Sequence, residues 1–120
     1  MAKKTLVIGA SENPARYSNL AVNRLMAKEH PVVALGAKAG KIGNTVIETE
    51  KKVFEGIDTV TLYLNPQRQK EYYDYILSLH PKRIIFNPGA ENDELAELAQ
   101  KNNILPQEAC TLVLLSTGQY

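Results

Sequence analysis

Three features of this 120-residue sequence predict an α/β fold of three layers, with a mainly parallel sheet covered by helices on both faces. Short apolar runs alternate along the chain with longer amphipathic stretches, which is the order strand, helix, strand. The runs are apolar at successive positions rather than at every second one, so both faces of each strand must be buried, as in a parallel sheet. The first run, Thr5 to Ile8, stops at Gly9 and opens into polar residues that head a helix.

Taken in order, Thr5 to Ile8 is the first strand, and Ser18 to Lys28 a helix with Leu20, Ala21, Leu25 and Met26 inward. Pro31 to Leu35 is a second strand, followed by a loop over Lys38 to Asn44 and a short strand at Val46 and Ile47. Thr59 to Leu64 is the third long strand. Pro66 to Leu79 reads as one helix, with Asn65 as its N-cap and Pro66 at its first position, the place each residue prefers. Tyr72, Tyr75, Ile76 and Leu79 fall on a single apolar face of that helix. Arg83 to Phe86 is a strand, Asn92 to Lys101 a helix with Leu95, Leu98 and Ala99 inward, and Ile104 and Leu105 a last short strand. Thr111 to Ser116 fits either helix or strand; helix is preferred, with Gly118 at its end. His30-Pro31 and His80-Pro81 each lead from helix to strand, and proline disfavours helical geometry in the residue before it, so both are expected as helix stops. A charged histidine there would be favoured by the helix dipole.

Composition narrows the function classes. With 44% hydrophobic and 22% charged residues, one domain over residues 1–120 is expected. A formal charge of +1 and no basic stripe argue against nucleic acid. No apolar run approaches membrane-spanning length and the Met-Ala-Lys-Lys start lacks a signal peptide's apolar core, so a cytoplasmic protein is expected. Cys110 is the sole cysteine, which excludes an internal disulfide and points to a small buried hydrophobe.

In an open parallel sheet, ligands sit beyond the carboxyl ends of the strands. The residues that follow the strands here are uniform in character: Gly9-Ala10-Ser11, Gly36-Ala37-Lys38, Asn65-Pro66 and Asn87-Pro88-Gly89. Small residues let a ligand reach the backbone, and capped helix starts aim free N–H groups at it. Gly9 supplies the tight turn, Ser11 a hydroxyl donor, and Arg16 a full positive charge. The dinucleotide fingerprint is only partly met, because its second glycine falls on Ser11 and its third on Pro14. Gly36 to Ile42 fails as a P-loop, since the required Gly-Lys-Ser/Thr falls on Lys41-Ile42-Gly43. Nor is there a carboxylate pair, a metal-ligand cluster or a nucleophile elbow.

Two absences bear on the choice of nucleotide. An NAD fold carries Asp or Glu at the end of the second strand, about 20 residues past the glycines, to hold the ribose 2′-hydroxyl. Gly36, Ala37 and Lys38 stand there instead, and a cation suits a ribose phosphate, as in NADP or coenzyme A. No hydride-transfer domain fits in so short a chain.

Gly9-Ala10-Ser11 with Pro14, Arg16 and Tyr17, then Asn65-Pro66, Asn87-Pro88-Gly89-Ala90-Glu91-Asn92 and Cys110 resemble the small stand-alone CoA-binding domain proteins, over nearly the whole chain. Those proteins are similar to the nucleotide-binding domain of the succinyl-CoA synthetase alpha subunit. The resemblance implies a Rossmann-like fold with coenzyme A or an acyl-CoA across the first strand-helix turn. It further implies that the backbone of Gly9, Ala10 and Ser11 meets the pyrophosphate, aided by the Ser11 and Arg16 side chains, with Lys38 near the ribose phosphate. Asn65 and Pro66 then border the nucleotide, while Asn87, Gly89 and Glu91 lie in the loop near the pantetheine exit. Glu91 reads equally as a first-turn helix carboxylate. The synthetase's catalytic parts have no counterpart here, so a binding module without its own reaction is expected, with a protein partner or a second copy possible. The alternatives are an NADP-binding oxidoreductase component and a protein-interaction domain with a vestigial crevice.

Overall fold

The computed structural model describes residues 2–120. Its seven strands form one sheet: β1 Thr5–Ile8, β2 Val32–Leu35, β3 Gly40–Ile42, β4 Thr45–Glu48, β5 Thr59–Leu62, β6 Arg83–Phe86 and β7 Leu105–Glu108. The spatial order is β3-β4-β2-β1-β5-β6-β7. Every pairing is parallel except β3 with β4, a hairpin at one edge. This is a Rossmann-like arrangement, with β1 at its centre and chain crossings to either side.

Alternation along the central strands divides the core in two. Leu6 and Ile8 of β1, Val60 and Leu62 of β5, and Ile84 and Phe86 of β6 form one cluster with Ile76, Leu95 and Ala99. Val7, Ala34 and Ile47 form the other, with Val22, Leu25 and Leu115. The first cluster is covered by α3, Tyr73–Ser78, and α4, Asp93–Lys101; the second by α1, Tyr17–Ala27, and α5, Thr111–Ser116. Burying one such side chain fully contributes about 1.5–3 kcal/mol, so both faces of the sheet are strongly committed.

Several elements depart from the sequence expectations. The 38–44 loop contains β3, and the strand expected at Ile104 and Leu105 runs further, to Glu108. Thr59 to Leu64 is strand only to Leu62. The single helix expected over 66–79 is broken into α2, Pro66–Gln69, a 3-10 turn at Lys70–Tyr72, and α3. On α1, Val22 rather than Leu20 lies fully inside.

Helix ends explain the His-Pro pairs. After α1, Glu29 takes a left-handed conformation (φ 64°), and the N–H groups of Glu29 and His30 close back on the carbonyls of Met26 and Leu25. After α3, His80 itself is left-handed (φ 50°), and Pro81 has no N–H to complete the second bond. His30 is not a charged helix terminator: its Nδ1 accepts the Lys3 N–H at 2.9 Å. Burial first, then the Lys3 charge, hold its pKa below the ordinary 6.5. Gly118 ends α5 as expected, at φ 71°.

Candidate functional site

The carboxyl ends of β1, β2, β5 and β6 open onto a cleft of about 690 Å³. Gly9, Ala10, Ser11, Arg16, Tyr17, Lys38, Asn65, Pro88 and Gly89 line it. Ala37 and Ala90, from the post-strand segments the sequence marks, line it too, as do Glu12, Asn13, Ser18, Tyr63, Leu64 and Arg68, which are not among the expected site residues. Inspecting only the residue types directly after each strand misses Arg68, which reaches the cleft from the first turn of α2, and Tyr63, which leaves β5 beneath Gly9.

The turn after β1 is built by its own hydrogen bonds. Gly9 sits at φ +94°, outside the range of L-residues, and its Cα packs on the Tyr63 carbonyl. The N–H groups of Gly9 and Ala10 both donate to the Leu35 carbonyl at 2.9 Å. They are therefore committed to holding the turn against β2, which corrects the expectation that they face a pyrophosphate. The Ser11 Oγ accepts the Asn13 N–H at 3.1 Å, and the Asn13 Oδ1 accepts the Ala15 N–H at 3.0 Å. Asn19, buried on α1, donates its Nδ2 to the Ser11 carbonyl. After these bonds, the amides of Ser11, Glu12, Tyr17 and Ser18 have no partner among the described residues. The latter two open α1, where the dipole is positive.

The charges around the cleft reinforce this. Arg16, Lys38 and Arg68 are exposed and form no ion pair among the described residues, where Lys52–Glu48 is the ion pair present. Glu12, the one acid in the lining, points its carboxylate away to the β3–β4 hairpin, accepting the Lys41 N–H at 3.0 Å above Gly40. Tyr17 is 71% exposed, so its ring is available to a ligand. The hydroxyl of Tyr63 is buried without a hydrogen-bond partner among the described residues, near Thr61 and Thr111, which bond to each other at 2.8 Å. That burial pushes its pKa well up.

Five sequence candidates lie outside the lining. Pro14 is exposed in the turn before α1, and Pro66 is the exposed first residue of α2. Gly36 is buried where a Cβ would strike the Ala10 carbonyl, so its role is close packing of β2 against the first turn. Asn87 is 2% exposed: its Nδ2 donates to Thr61 Oγ1 at 2.6 Å and to the Leu62 carbonyl at 2.9 Å, and its Oδ1 accepts the Thr111 N–H. Glu91 clasps its own loop, accepting the Gly89 N–H at 2.9 Å, and precedes the α4 cap Asn92 rather than standing in the helix's first turn. Asn65 lines the cleft while its Oδ1 caps α2 at the Arg68 N–H. Cys110 is half-buried before α5 and outside the lining, not the buried hydrophobe expected.

Residues 3–116 match the family described as the CoA binding domain. The crystal structure of an uncharacterized protein superposes on the chain with a TM-score of 0.98 at 50% identity, covering 100% of this chain and 99% of that one. A hypothetical protein from Pyrococcus horikoshii OT3 shares the fold at 19% identity, with a TM-score of 0.88 over 97% of this chain and 83% of its own. So does part of a dinucleotide-forming acetyl-coenzyme A synthetase 1 from Ca. Korarchaeum cryptofilum, solved with phosphate and ADP: 16% identity, TM-score 0.70, over 87% of this chain and 25% of that one. No curated protein matches.

Proposed function

Because the chain belongs to the CoA-binding domain family, we propose that it holds coenzyme A or an acyl-CoA in this cleft and acts as a cytoplasmic binding module without catalysis of its own. The observation that carries the reading is the set of amides at Ser11, Glu12, Tyr17 and Ser18, ringed by the cations Arg16, Lys38 and Arg68, none of which has a hydrogen-bond or ion-pair partner, respectively, among the described residues. N–H groups at a helix start, with guanidinium and ammonium groups beside them, are the donors a pyrophosphate requires.

In this reading the four amides and Arg16 hold the pyrophosphate, and the Ser11 hydroxyl, already accepting from Asn13, turns its proton to the same anion. Lys38 takes the ribose 3′-phosphate at the β2 side. The pantetheine arm then leaves between Asn65 and Arg68 on one wall and Pro88, Gly89 and Ala90 on the other. When bound, CoA supplies a thiol or thioester at that exit. Cys110 lies outside the lining, and His30 and His80 precede β2 and β6, at the opposite ends of those strands, which supports a binding role.

Native mass spectrometry of the purified protein tests the reading, because a retained CoA or acyl-CoA declares the ligand by its mass. A ligand present at 100 times its Kd also contributes about 2.7 kcal/mol of stability. A melting curve unmoved by saturating CoA, acetyl-CoA and longer acyl-CoAs would overturn it.

A further inference from the structure

Gln69, the last residue of α2, is fully buried although its side chain is an amide. Its Nε2 donates at 2.8 Å to the Leu64 carbonyl and at 2.8 Å to the Ala90 carbonyl. Its Oε1 accepts from Asn92 Nδ2 at 2.9 Å. Asn92 in turn reaches the Tyr73 hydroxyl at 2.8 Å and caps α4 by accepting the Leu95 N–H, while Tyr73 donates to Glu94. Both amide protons and the carbonyl oxygen of Gln69 are therefore in use.

The two carbonyls it binds belong to different loops. Leu64 follows β5 and Ala90 follows β6, and both residues line the cleft. One rigid amide thus spans the walls of the cleft's β5–β6 end. The turn after β1 is held by the Leu35 carbonyl, and β3, which follows Lys38, by the Glu12 carboxylate at Lys41; among the described residues no hydrogen bond joins these supports to the Gln69 network.

We propose that Gln69 is a positioning residue that sets the width of the β5–β6 end of the cleft, and so governs affinity for the pantetheine arm separately from the nucleotide. The inference rests on the reading of the cleft as a CoA site. A buried amide whose three bonds are all made resists local rearrangement, since each broken bond orphans a desolvated group. Loss of the spanning amide frees the Leu64 and Ala90 loops to drift, and a ligand group positioned by both walls loses affinity first.

Calorimetric titration with CoA and with 3′-phospho-ADP, which is CoA without its pantetheine arm, reads the two halves of the cleft separately. Gln69→Met keeps the length of the side chain and removes its donors. It should weaken CoA roughly tenfold while leaving 3′-phospho-ADP nearly unchanged. Asn92→Asp keeps the cap on Leu95 but removes the donor to Gln69; it should shift the same ratio in the same direction, and it decides the matter if Gln69→Met does not fold. Equal weakening of both ligands, or unchanged CoA affinity in a folded variant, overturns the role of Gln69. Failure of the unmodified protein to bind either ligand overturns the CoA reading itself, and this inference with it.

Discussion

Gly9 packs against the backbone of Tyr63 so closely that a Cβ at position 9 would lie 2.9 Å from the Tyr63 carbonyl oxygen. The contact sets the first turn directly on the end of β5 and leaves no room for a side chain. Its φ of +94° adds a second obstacle, one that even small L-residues meet.

Gly9→Ala should therefore destabilise the fold by about 1–3 kcal/mol from backbone strain alone, with the clash in addition. The urea midpoint reads this loss. A midpoint equal to that of the unmodified protein would show that the turn relaxes freely and does not depend on this contact.

Asn87→Ala should be at least as damaging, although Asn87 lies outside the cleft lining. It removes the partner of the buried Thr111 N–H and both donors that serve Thr61 and Leu62. Each orphaned buried group costs about 1–3 kcal/mol. Chemical denaturation should show a large fall in stability; an unchanged midpoint would mean that water replaces all three bonds.

Stability should decline with acid partly through His30. The folded protein holds its pKa below 6.5, by burial and the nearby Lys3 and Arg83 charges, with Asp58 opposing them. The unfolded chain then binds the proton first, so stability present above the unfolded value is lost as pH falls through it toward the folded one. His30→Asn retains an acceptor for Lys3 and removes the titration. Urea midpoints at about pH 7.5 and about pH 5.5 should fall less in the variant than in the unmodified protein. Equal falls in both would remove His30 from the acid response.

Much of this molecule was legible from local signals. Apolar runs such as Thr5 to Ile8 and Arg83 to Phe86 became central strands because a parallel sheet buries both faces, and Asn65-Pro66 and Gly118 marked the start of α2 and the end of α5. What escaped depends on contacts distant in sequence. The three-residue β3 carries no apolar run; it forms by pairing with β4 across the turn at Gly43 and Asn44, and the Glu12 carboxylate on Lys41 fastens it from 29 residues away. The break after Gln69 has no Gly or Pro to announce it; the buried Gln69 network fastens the helix there. At the cleft, residue types after strands located the edge. Which amides were free depended on the Leu35 carbonyl, which no periodicity reveals.

Lys38 and Arg16 should separate by ligand. Lys38→Ala should weaken CoA while leaving dephospho-CoA nearly unchanged, since a charge-assisted phosphate contact is worth about 1.5–3 kcal/mol. Arg16→Ala should weaken both, through the pyrophosphate they share. Salt should erode CoA binding more than dephospho-CoA binding, because exposed charge pairs are screened. The same loss for both ligands in Lys38→Ala would detach Lys38 from the ribose phosphate.

Calorimetric titration of the unmodified protein with CoA, dephospho-CoA and NADP decides whether the cleft is a CoA site. CoA should bind, about tenfold to hundredfold more tightly than dephospho-CoA. NADP, with its phosphate on the neighbouring ribose position and no pantetheine arm, should bind more weakly than CoA. No heat with CoA, or NADP binding more tightly than CoA, would overturn the assignment of the cleft to CoA.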